Sequence, residues 1–153
     1  MVKSKRIVAV DLGLVRTGIA VSDLSATLAS PLVTITERNT ERLLAKVAQI
    51  ITEQQAATVV IGHPRNMDGS CGESAKRAES FADQLKLLCQ ADVLLWDERM
   101  TTVTAIGYLN ESDVRGKKRK AVVDSVAATI ILQDYLESLR LAKQPSSEDV
   151  EEN

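Results

Sequence analysis

The chain has 153 residues, 44% of them apolar and 3% aromatic, with two cysteines, one histidine and a net charge of −2. That length carries one domain whose core needs no disulfide or metal staple. Cys71, Cys89 and His63 lack zinc-ligand spacing, which argues against a thiolate zinc site and for two reduced thiols, with Cys89 on a helix face. The basic opening runs into an apolar stretch that stops at Asp11, too short for a signal sequence. No later stretch is long and uncharged enough to span a bilayer, so a cytoplasmic protein is expected.

The negative charge is concentrated at the end. Residues 143–153 carry Glu148, Asp149, Glu151 and Glu152 against Lys143, which leaves 18 of the 19 basic and 17 of the 21 acidic residues, a net +1, in the body. The Pro, Ser and Glu content of this tail predicts disorder, and residues 1–142 are expected to form the single domain.

Along the chain, "RIVAV" (6–10) is apolar and β-branched, as suits a strand buried on both faces at the centre of a sheet. Gly13 and Thr17-Gly18 bracket a turn into a second strand, "GIAVS", and "LVTIT" (32–36) alternates as a third, giving an antiparallel meander. Asn39 caps a helix with apolar positions at Leu43, Leu44, Val47, Ile50 and Ile51. "TVVIG" (58–62) returns as a buried strand, and the loop "GHPRNMDGSCG" leads to a helix with Ala75, Ala78, Phe81, Ala82, Leu85 and Leu88 on one face. "VLLW" (93–96) is a further buried strand ending in Asp97 and Glu98. Thr101 and Thr102 then cap a short helix through Leu109, the polar loop "NESDVRGKKRKA" follows, and a long last helix runs from about Val122 to Leu141. The order β-β-β-α-β-α-β-α-α predicts an α/β fold: a five-stranded mixed sheet, three antiparallel strands then two parallel ones, flanked by helices.

Three carboxylates stand where structure alone has little use for them. Asp11 ends the central strand, Glu98 ends the last strand, and Asp124 lies in the first turn of the last helix, one, two and three turns before Ala128, Ile131 and Tyr135 on the inward stripe. Carboxyl ends of parallel strands share one edge, where ligands of open α/β sheets bind. Clustered carboxylates repel one another unless a cation sits among them, and Mg2+ or Mn2+, hard ions that take oxygen ligands, would resolve the conflict. Each residue has a plainer reading: Asp11 as an Asx-turn former, Glu98 paired with Arg99 or Lys120, Asp124 as a favourable charge at a helix start. Asp97 competes with Glu98, since neighbours on a strand point to opposite faces.

Arg115, Lys117, Lys118, Arg119 and Lys120 read either as a solvated loop or, beside a carboxylate site, as a phosphate grip. Arg16, Arg65, Asn66 and Arg99 are further candidates for nucleic-acid contact, and His63 is a packing residue or a proton shuttle. "GHPRNMDGS" lacks the Gly-Lys-Ser/Thr ending of a P-loop, "DLGLVRTG" lacks the spacing of a dinucleotide fingerprint, and the few aromatics poorly supply a base-stacking platform.

"DLGLVRTGIAVSD", "IGHPRNMDGS", "DERMTT" and "VVDSVAATIILQDYL" occur in the order and spacing of the YqgF family, Holliday-junction-resolvase-like proteins also described as pre-16S rRNA nucleases, which the chain resembles over roughly 5–139. The resemblance implies a ribonuclease H-like fold, with Asp11, Glu98 and Asp124 as the catalytic cluster binding divalent metal. It also implies metal-assisted hydrolysis of a phosphodiester in 5′-end processing of precursor 16S rRNA. The alternatives are a Holliday junction resolvase, a nucleic-acid-binding ribosome-assembly factor with little turnover and, from the Asp-x-Gly hairpin, an actin-like ATPase. Partners would be precursor rRNA, branched DNA or ribosomal particles, with the protein a monomer or homodimer. The chain departs from true resolvases in ending the fourth strand in Gly62-His63-Pro64 and in carrying Ala127 three residues after Asp124, where those enzymes have acidic residues; fewer carboxylates imply weaker metal binding or another substrate.

Overall fold

A computed structural model describes residues 5–64, 72–97 and 116–143, with only the backbone of 116–125 and Lys143. Its elements are β1 (Ile7–Asp11), β2 (Arg16–Ser22), β3 (Ala29–Thr36), α1 (Thr40–Gln54), β4 (Thr58–His63), α2 (Glu73–Lys86), β5 (Asp92–Asp97) and α3 (Gly116–Lys143). The strands form one sheet in the order β3-β2-β1-β4-β5. β1 pairs antiparallel with β2 and parallel with β4, β2 pairs antiparallel with β3, and β4 pairs parallel with β5.

Helices cover both faces of the sheet, which is why the central strands read as unbroken apolar runs. On one face Val8, Val10, Ile19, Val59, Ile61 and Val93 pack against Leu43, Leu44, Val47 and Ile51 of α1 and Ala78, Phe81, Ala82 and Leu85 of α2. On the other, Ile7, Ala9, Ala20 and Val60 pack under Ala128, Ile131, Leu132 and Leu136 of α3. The alternation along β1 therefore assigns every residue of the strand to the α1/α2 face or the α3 face.

Among the described residues the expected elements are present, with four corrections. β3 begins at Ala29 rather than Leu32: a register shift near Ile19/Ala20 accommodates Pro31, whose missing N–H is tolerated on an edge strand. β5, expected to be buried, is the other edge, and Leu94 and Leu95 are 40% and 39% exposed. α2 ends at Lys86, so Leu88 is exposed and Cys89 lies beyond the helix rather than on its face. The last helix starts at Gly116, so the basic run expected in a loop forms its opening turns. Asn39 caps α1 as expected, its Oδ1 accepting from the Arg42 N–H at 2.9 Å. The short helix expected from Thr101 to Leu109 and the acidic tail from residue 144 lie outside the described residues. Among the described residues, no helix is long and apolar enough to cross a membrane.

Candidate active site

Asp11 closes β1 at the carboxyl edge of the sheet and lies opposite Gly18 in the β1–β2 ladder. Ile7 and Ala9 belong to the α3 face, so Asp11, two residues on, faces that side as well. Arg16 is two residues from Gly18 on β2 and shares this face. The fold thus brings a half-buried carboxylate and a half-buried guanidinium to the same side of one sheet edge.

The turn between them is tight. A Cβ on Gly13 would lie 1.9 Å from the Arg16 carbonyl oxygen, so only glycine admits this close approach. Its N–H donates to the buried Thr17 Oγ1 at 3.3 Å, and the Glu37 N–H donates to the Val15 carbonyl at 2.8 Å, tying the turn to the end of β3.

α3 runs back toward this edge. Gln133 Oε1 accepts from the Ala29 N–H at 3.3 Å, Ala29 pairs with Ser22, and Ser22 Oγ accepts from the Ile7 N–H at 2.8 Å, so Gln133 is level with the first row of β1. Beyond that row, Leu136, Glu137 and Arg140 meet the β2–β3 loop at Ser25–Thr27. Preceding residues of the helix therefore run toward the carboxyl end of β1. Nine residues back, about 13 Å at helical rise, is Asp124, and from Ile7 to Asp11 the strand also advances about 13 Å. The backbone of Asp124 thus lies on the part of α3 that runs toward the Asp11 end of β1. Because α3 starts at Gly116, Asp124 is in its third turn, not its first, and its plainer reading as a charge at the helix start falls away. Lys117, Lys118, Arg119 and Lys120 lie one to two turns before it.

The alternation also separates Asp97 from Asp11. Val93 packs on the α1/α2 face and Trp96 on the α3 face, where it meets Tyr135 edge-on at 5.6 Å. Asp97 therefore shares the side of Val93, away from Asp11. His63, its neighbour in the β4–β5 register, is on that side too, with Nε2 3.5 Å from Glu79 of α2. Glu98, Arg65, Asn66, Arg99 and Arg115 lie outside the described residues. Among the described residues, no group of three or more His, Cys, Asp or Glu side chains could hold a metal ion, and of the expected acidic trio only the Asp11 side chain is described.

A family profile described as RuvX, Holliday junction resolvase, matches residues 5–138. The chain belongs to the RuvX family. A protein of Lachnospira eligens named "Putative pre-16S rRNA nuclease" is 42% identical over 136 residues, covering 87% of this chain and 97% of its own. One of Shouchella clausii with the same name is 44% identical over 132 residues, covering 85% and 93%. Among solved structures, T. thermophilus RuvC in complex with Holliday junction substrate superposes with a TM-score of 0.56 at 12% identity, covering 88% of this chain and 95% of that one. The Fowlpox virus resolvase with Holliday junction DNA gives 0.53 at 13% identity, covering 88% and 98%. At such identities the likeness is one of fold, and the ribonuclease H-like architecture expected from the sequence is the one found.

Proposed function

We propose that the protein is a cytoplasmic nuclease that hydrolyses a phosphodiester bond in 5′-end processing of precursor 16S rRNA, with Asp11, Glu98 and Asp124 as its catalytic, metal-holding residues. The observation that carries this reading is the placement of Asp11 and Arg16 on the α3 face of one sheet edge, in a RuvX-family chain whose 42%-identical relative bears a pre-16S rRNA nuclease name. The donor set suits Mg2+ or Mn2+. Asp11 offers a hard carboxylate oxygen at a half-buried strand end. Asp97, on the opposite face, leaves Glu98 as the β5-end carboxylate for the site.

Asp11, Glu98 and Asp124 would hold a divalent cation, which would supply Lewis acidity toward the attacking water and the leaving oxygen. The chain's own groups do the rest. Arg16 offsets phosphate charge beside Asp11, and Gly13 keeps the turn clear of the backbone being cut. Arg115, Lys117, Lys118, Arg119 and Lys120 draw the phosphate backbone toward carboxylates that would otherwise repel it. Arg65, Asn66 and Arg99 add contacts from the ends of β4 and β5. In hydrolysis a bond forms from water oxygen to phosphorus, the bond from phosphorus to the leaving sugar oxygen breaks, and that oxygen takes up a proton.

The test incubates precursor 16S rRNA and a four-way DNA junction with the wild type and with Asp11→Asn, Glu98→Gln and Asp124→Asn, each with Mg2+ or Mn2+ and with chelator. RNA cleavage lost in all three variants and with chelator supports the proposal. Preferential cutting of the junction moves the substrate to branched DNA, and binding without cleavage by the wild type points to an assembly factor instead.

A further inference from the structure

Across the β1–β2 turn from Asp11, on the α1/α2 face, lies a cavity of about 380 Å³ that the proposed chemistry does not use. Leu12 and Gly13 form its rim, Arg38 its β3 side, and Arg77, Ser80 and Gln84 line the α2 wall one turn apart. The Arg77 Nε is fully buried and has no hydrogen-bond partner among the described residues, although the residue is only half-buried. A buried donor left unsatisfied costs about 1–3 kcal/mol, a cost that a shift of the guanidinium toward an anion in the cavity would relieve. The acidic residues nearby do not serve it: Glu37 is held by Lys46 at 3.0 Å and by the Asn39 N–H at 3.2 Å, which keep its carboxyl below the ordinary range, and Glu41 is exposed at the start of α1. Arg38 and Arg77 line the cavity together with Glu37 and Glu41; Lys46, from outside the lining, neutralises Glu37, so the two guanidiniums face only the Glu41 charge and the cavity favours an anion.

Its position says which anion. Leu12, which lines the cavity, directly follows Asp11 in the chain, so the cavity adjoins the β1–β2 turn on the far side of the sheet edge from the proposed cutting site. We propose that this cavity is a second substrate subsite, in which Arg77 and Arg38 bind a backbone phosphate of the nucleic-acid strand past the β1–β2 turn from the bond cut at Asp11, with Ser80 and Gln84 offering hydrogen bonds to the adjoining sugar. The inference rests on the nuclease reading, and deepens it by fixing the path of the strand across the β1–β2 turn.

The experiment measures binding of a fluorescent RNA spanning the precursor 16S 5′ end, over a series of salt concentrations, in an Asp11→Asn background that prevents cutting. Adding Arg77→Gln should raise Kd about tenfold and flatten the slope of log K against log salt by about 0.7 for a single strand or 0.9 for a duplex, one phosphate contact. Arg77→Lys should restore most of the slope, which a purely structural role for Arg77 would not require. Arg38→Ala, at an exposed position, should flatten the slope without altering the circular dichroism spectrum, and decides the matter if Arg77→Gln does not fold. Unchanged Kd and slope in folded Arg77→Gln, or in Arg38→Ala where Arg77→Gln does not fold, overturn the subsite while cleavage by the wild type leaves the nuclease reading standing. Failure of the wild type to cut RNA or a DNA junction removes both.

Discussion

Replacing Gly13 with alanine places a methyl group 1.9 Å from the Arg16 carbonyl oxygen, well inside the 3.0 Å that real Cβ atoms essentially never cross. The near atom is backbone, so no side chain can swing aside, and the turn must open by roughly 1 Å or more. Opening stretches the 3.3 Å bond from Gly13 N–H to Thr17 Oγ1 and pulls on the 2.8 Å bond from Glu37 N–H to the Val15 carbonyl. Overpacking costs about 1–3 kcal/mol and one hydrogen bond about 1 kcal/mol, so a loss of about 2–4 kcal/mol is expected. For a chain of this length that lowers Tm by about 5–15 °C. Thermal unfolding followed by circular dichroism measures it, with Leu14→Ala, a 70% exposed neighbour, as the near-neutral control. Because the turn positions Asp11 against Arg16, cleavage by Gly13→Ala at a temperature where it is still folded should fall by about 100-fold, the effect of displacing reacting groups by about 1 Å. A Tm within 2 °C or so of the control would refute the reasoning about the turn.

Phe81→Ala removes one of the largest fully buried side chains, and should lower stability by about 3–5 kcal/mol in urea unfolding, with the midpoint moving and the slope unchanged. Asn39→Ala deletes the 2.9 Å cap on the Arg42 N–H and should cost about 1 kcal/mol, read as a Tm decrease of about 2–4 °C. The Asp23 carboxylate accepts from the Thr27 and Leu28 N–H groups and from the Ser25 and Thr27 hydroxyls, which holds its pKa well below the ordinary carboxylate range. Its contribution is present above the unfolded pKa of about 3.9 and is lost as pH falls through the lower folded value, so Asp23→Asn should narrow the gap between stability at pH 6 and at pH 3; equal acid sensitivity in the two proteins would contradict this.

The sheet was legible because its strands are short β-branched runs, and a chain buried on both faces leaves that pattern. Pro31 hid the start of β3, since its tolerance depends on the strand being an edge, which is a fact of topology and not of local sequence. The start of α3 was hidden for another reason: Lys117–Lys120 has no apolar periodicity, yet lysine and arginine are good helix formers, so propensity carries the helix where amphipathicity is silent. VLLW reads as buried in isolation because edge position is invisible in an apolar run. Asp11 stood out as a charge ending a core strand, but setting Asp97 on the face away from it required the faces of Val93 and Trp96, which belong to packing. Arg77 gave no signal in sequence. It sits on a helix otherwise marked by Ala75, Ala78 and Ala82, and its interest arises only from the cavity beside it.

The central claim is that Asp11 is part of a centre that cuts RNA, and mapping the 5′ ends of products from purified precursor 16S rRNA tests it most directly. With Mg2+ or Mn2+ the wild type should generate a discrete 5′ end, and Asp11→Asn, folded to the same Tm, should generate it at least about 100-fold more slowly. A product with the same 5′ end, formed at the same rate by the Asp11→Asn protein, would contradict the account.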